Sequence, residues 1–77
     1  MNRLKLKEYN NSHIVYLYQP EGKGEYGEII YDFTDNEAKI IKKAEDESDW
    51  YANKAIVKVE ECVKNKNLPM EFTQAWY

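Results

Sequence analysis

Thr34-Asp35-Asn36-Glu37-Ala38-Lys39-Ile40-Ile41-Lys42-Lys43-Ala44, residues 34–44, decides how this chain divides between sheet and helix. Thr34 followed by Glu37 has the form of a capping box. The threonine side chain accepts from the amide of residue 37, and the glutamate reaches back. Phe33 and Ala38 stand at the staple positions beside it. Ala38, Ile41 and Ala44 then recur at helical spacing, with Ile40 flanking them. The stretch predicts a helix that begins after Thr34.

Towards the C-terminus, the acidic run Glu45-Asp46-Glu47-Ser48-Asp49 reads as the end of that helix and the start of another, because acids suit a first helical turn. The second helix carries Ala52, Ile56, Val59 and Val63 on one face, with Ala55 and Cys62 beside them. Neither proline nor glycine lies between residues 34 and 67. A single long helix is therefore the rival, since about seven turns would keep Ala38 and Val63 in phase. A polar gap at 45–49 would leave the middle of such a helix with nothing to pack, so a break at Ser48 or Asp49 is expected. Asn67 is placed as the left-handed stop. Pro69 opens a short terminal helix with Phe72, Ala75 and Trp76 at helical spacing.

Towards the N-terminus the period is two. Leu4 and Leu6 alternate with Arg3, Lys5 and Lys7, which describes a half-buried strand over 3–9 with a basic outer face. Asn10-Asn11-Ser12 is a turn. Residues 13–18, His-Ile-Val-Tyr-Leu-Tyr, suit a central strand. Gln19-Pro20-Glu21-Gly22 fits a type I turn, and residues 28–33 form a third strand. The expected fold is one α+β domain over 1–77: a three-stranded antiparallel meander followed by two or three helices packed on one face.

Composition bounds the function. At 9.2 kDa the folded chain should expose roughly 4,900 Å², enough for one thin core and little enclosed space. Apolar residues at 43% and aromatics at 14% exclude a disordered chain. Net charge is −3, which weighs against general nucleic-acid binding. Cys62 is the lone cysteine, so the chain holds no internal disulfide. The start, Met1-Asn2-Arg3-Leu4-Lys5, has no apolar signal region, and no apolar run reaches the ~18 residues of a membrane span. A cytoplasmic location without membrane contact is expected by elimination.

Three motifs invite chemistry. Gly22-Lys23-Gly24-Glu25-Tyr26-Gly27 matches G-x-G-x-x-G, but a strand follows it where a nucleotide fold needs a helix. It reads as a hairpin loop whose glycines supply positive φ. The acids at 45–49 lack the central glycine of a calcium loop and read as a solvated junction. His13 and Cys62 fall short of a zinc set and lack an orienting third group. No catalytic, cofactor-binding or metal-ligating residue is assigned.

The sheet's outer face is the remaining candidate. With Leu4 and Leu6 inward, Lys5 and Lys7 face out. If Val15 and Leu17 fill the core, Tyr16 and Tyr18 join the lysines outside. Lys5, Lys7, Tyr16 and Tyr18 are accordingly the expected binding residues of a non-enzymatic protein-interaction or homodimerising module. The alternative partner for that face is single-stranded nucleic acid, held by charge and base stacking.

Overall fold

The computed structural model describes residues 1–44 and 49–75. Its elements are β1 (Asn2–Tyr9), β2 (His13–Pro20), β3 (Gly27–Asp32), β4 (Glu37–Lys42), α1 (Trp50–Lys64) and β5 (Glu71–Gln74). The strands form one antiparallel sheet in the order β4-β3-β2-β1-β5. The first four make a meander. α1 then crosses one face, and β5 adds to the far edge beside β1. The expected three strands followed by two or three helices is thus overturned: the described residues form one five-stranded sheet and one helix.

Residues 34–44 account for most of the difference. Asp32, not Thr34, organises the turn: its Oδ1 accepts from the Thr34 amide at 2.7 Å. Asn36 takes φ +55, and its amide donates to the Asp32 carbonyl at 2.8 Å. Asp, Thr and Asn serve turns by the same short-range hydrogen bonding that makes them helix caps, so the motif is ambiguous by chemistry. Beyond the turn, Ala38 and Ile40 pair with Tyr31 and Ile29 on the inner face. The open edge of β3 satisfies their backbone and buries them, which a stripe of two alanines and one isoleucine on a helix could not match. The single long helix is excluded by the same strand. Of the expected break, Ser48 lies outside the described residues, and Asp49 is the N-cap of α1.

The C-terminal helix is overturned likewise. Residues 71–74 lie along β1, with Asn2 opposite Gln74 and Leu4 opposite Phe72. The Leu6 amide donates to the Met70 carbonyl at 2.7 Å. Asn2 Nδ2 donates to Gln74 Oε1 at 3.1 Å and to the Tyr51 carbonyl at 2.9 Å, and Gln74 Nε2 donates to the Lys54 carbonyl at 2.9 Å. These two amides set the register of β5 and tie that edge to α1.

The core shows a division of volume. α1 offers Ala52, Ala55, Val59 and Cys62 to the sheet, all small, so the helix sits close and the sheet must supply bulk. It does so with Tyr16 and Tyr18, each 0% exposed, beside Leu4, Ile14 and Ile29. This reverses the expected facing of β2. Burial of a phenol requires a partner for its hydroxyl. Tyr16 donates to the Pro69 carbonyl at 2.7 Å, and Tyr18 accepts from the Ala44 amide at 3.0 Å. Gly27 lies opposite Tyr18. A Cβ there would fall within the tyrosine ring and 2.7 Å from the Ala44 nitrogen.

The loop between β2 and β3 turns at Glu21 (φ +52) and Gly22 (φ +68). The Gly22 amide closes the expected turn at 19–22 on the Gln19 carbonyl at 3.1 Å, but the positive φ at its third residue, Glu21, excludes type I. An overlapping turn, closed by the Lys23 amide on the Pro20 carbonyl at 3.0 Å, has the two consecutive positive φ values of type I′. Glu21 Oε2 accepts from the Met1 α-ammonium and from the Tyr51 hydroxyl, both at 2.7 Å. Those two hydrogen bonds hold its carboxyl below the usual range. No helix among the described residues is long and apolar enough to cross a membrane.

Candidate binding groove

The four expected binding residues do not share a surface. Lys5 and Lys7 are exposed on the outer face, while Tyr16 and Tyr18 lie on the inner face beneath α1. The buried Tyr16 hydroxyl has its pKa pushed up to about 12, first by burial and then by Cys62 nearby. The Cys62 thiol is itself pushed up by burial. The rings that would stack bases or fill a partner's pocket are therefore absent from the lysine face. That face carries Val15, Leu17 and Ile30 in their place. Lys7 Nζ reaches across β2 to Glu28 Oε1 at 2.7 Å, and Val15 is only 4% exposed although no helix among the described residues packs on that face. Arg3 meets Glu71 at 2.8 Å, and His13 meets Glu8 at 2.8 Å. The face is largely closed by its own side chains.

A concavity lies on the other side, at the C-terminal end of α1. Tyr9, Ile14, Phe33, Val63, Lys66 and Leu68 line a groove of about 490 Å³. That volume falls in the range of small-ligand and side-chain pockets. Each wall has a local cause. Tyr9 follows a bulge in β1: Leu6 lies opposite Tyr16 but Glu8 lies opposite Val15, so Lys7 is an extra residue. Simple alternation from Lys5 and Lys7 would send Tyr9 outward; the bulge returns it to the inner side, above Ile14. Tyr9 stays 62% exposed there. Phe33 belongs to the β3–β4 turn. Its amide donates to the Ser12 carbonyl at 3.1 Å, joining the two turns, and its ring meets the edge of Tyr31 at 5.8 Å.

The remaining walls come from the way α1 ends. The Asn67 amide donates to the Cys62 carbonyl at 3.0 Å and the Lys66 amide to the Val63 carbonyl at 3.1 Å. This is a Schellman closure whose left-handed residue is Lys66, at φ +55. The expected left-handed residue, Asn67, is one position too late. Closure there brings Leu68 back under the helix and sets Lys66 at the groove's rim. Ile14, Phe33 and Val63 were visible in the sequence as strand and helix positions. Tyr9 needed the bulge and Lys66 the cap, and neither leaves a mark in hydrophobic periodicity.

The glycine loop stands between two paired strands, with Gly22 and Gly24 at φ +68 and +80. His13 and Cys62 are on opposite faces of the sheet, His13 outward beside Glu8 and Cys62 buried on α1. Among the described residues no cluster of three metal-ligating side chains is present. Compared with protein-family models, with curated proteins and with solved structures, the chain matches none.

Proposed function

We propose that this domain is a non-enzymatic protein-binding module whose working surface is the groove at the C-terminal end of α1. The observation that carries this reading is the groove itself: a concave apolar surface walled by two aromatic rings. Aromatic, well-shaped hollows are where binding energy concentrates at protein interfaces. The groove takes an apolar side chain of a protein partner, with Tyr9 and Phe33 as its aromatic contacts. A reducing, cytoplasmic setting suits the chain, since its one thiol is buried and its fold is held without a disulfide.

Selection from a displayed random-peptide library, followed by amide NMR mapping, tests the proposal. Selected peptides should shift Tyr9, Ile14, Val63 and Leu68, and Val63→Asp should abolish those shifts while circular dichroism stays unchanged. Peptides that map to the outer sheet face around Lys5 and Leu17, or a selection that yields no binder, would overturn it.

A further inference from the structure

Lys66 is the one charged residue in the groove's lining, and the carboxylates of the neighbouring segments have partners of their own. Glu61 is held by Lys58 at 3.2 Å and Asp35 by Lys39 at 3.0 Å. Glu60 turns away to the Ala38 amide at 3.3 Å, where it covers the free edge of β4. Asp32 is engaged by the Thr34 amide, and Glu8 by His13. Lys66 has no carboxylate partner among the described residues and stands exposed at the rim. Its backbone makes the placement pointed. The left-handed position at a helix end favours glycine and then asparagine. Asparagines stand on both sides, at 65 and 67, yet the lysine occupies it. An outlier of this kind costs stability and marks a position for functional scrutiny.

We propose that the groove selects peptide segments in which an apolar side chain is followed closely by a carboxylate, the side chain entering between Tyr9, Phe33 and Val63 and the carboxylate meeting the Lys66 ammonium. This rests on the binding reading above and adds the partner's chemistry. The chain's net charge of −3 opposes acidic ligands in general, so a preference for them requires a local cation.

The experiment uses two synthetic peptides, acetyl-Gly-Phe-Asp-Gly-amide and its Asn twin, titrated by amide NMR at low salt. The acidic peptide should bind about three- to fivefold more tightly, as a part-exposed ion pair allows, and the gap should close as salt is raised. Lys66→Gly should erase the gap. The same variant should raise the melting temperature by about 4–8 °C, the shift that roughly 1 kcal/mol of relieved backbone strain gives a domain of this size. A merely structural lysine would not lose discrimination while gaining stability. Lys66→Arg should restore the preference. Equal binding of both peptides in the groove would overturn the acidic preference and leave the binding module standing. Failure of both to shift groove residues would overturn the two readings together. Groove shifts produced by decanoate and by neither peptide would assign the site to a free fatty acid and overturn the peptide proposal.

Discussion

The two faces of the sheet bury residues by different means. On the inner face, Tyr16 and Tyr18 lie under a helix of small residues, and each hydroxyl is satisfied by a backbone group contributed from elsewhere, Pro69 and Ala44. On the outer face, Val15 is sheltered in a sheet surface crossed by the Lys7–Glu28 pair. Burial under a packed layer makes a side chain part of a fixed jigsaw. Burial under charged stems leaves neighbours that relax when it is changed. Low exposure alone does not distinguish these cases; the nature of the covering group does.

The largest test of this contrast pairs two neighbouring positions on β2. Tyr16→Ser should cost about 3–5 kcal/mol, the range for emptying a large aromatic site, which is most of the stability available to a domain this small. Leu17→Ser, on the half-open outer face, should cost under about 1.5 kcal/mol. Urea denaturation of both variants measures it, and equal losses would break the comparison.

A smaller loss comes from adding an atom. Gly27→Ala drives a methyl group into the Tyr18 ring and against the Ala44 amide. Overpacking of this kind should cost about 1–3 kcal/mol. Gly24→Ala, at φ +80 in the open loop, should cost only about 1 kcal/mol of backbone strain. If the two lose the same stability, the inner face is less tightly packed than described.

A further effect is read from pH. Tyr16 in the folded state titrates at about 12, while in the unfolded chain it titrates near its usual value of about 10. Above pH 10 the unfolded state therefore holds fewer protons, and stability falls as pH rises towards 12. The slope from this one group is at most about 1.4 kcal/mol per pH unit. Tyr16→Phe should flatten the decline between pH 10 and 12, although the variant loses its hydrogen bond to Pro69 at every pH. An unchanged alkaline slope would place the hydroxyl in contact with solvent.

Tyr9 and Lys66 explain why the groove was harder to read than the strands. Alternation of Leu4 and Leu6 with Lys5 and Lys7 is a local property of β1, and the structure keeps it. Tyr9 breaks the period because the chain inserts one residue at Lys7, a choice made by pairing with β2. Lys66 is left-handed because the carbonyls of Cys62 and Val63 need donors at that point, against the preference of its own side chain.

By itself the sequence determined the first three strands, the inward set of Leu4 and Leu6, the outward set of Lys5 and Lys7, and an amphipathic helix carrying Ala52, Val59 and Val63. Each rests on a period or a residue propensity that a single element imposes on its own residues. Only the tertiary structure decided that residues 37–42 and 71–74 are strands, that β2 turns its tyrosines inward, and that a groove opens beside Lys66. Those outcomes depend on partners distant in the chain: the free edges of β3 and β1, the small face of α1 that demands large neighbours, and the backbone carbonyl and amide that hydrogen-bond the two buried hydroxyls. A capping box and a turn, or an aliphatic and an aromatic face, are nearly equal locally, and the difference between them lies in what the other element leaves unfilled.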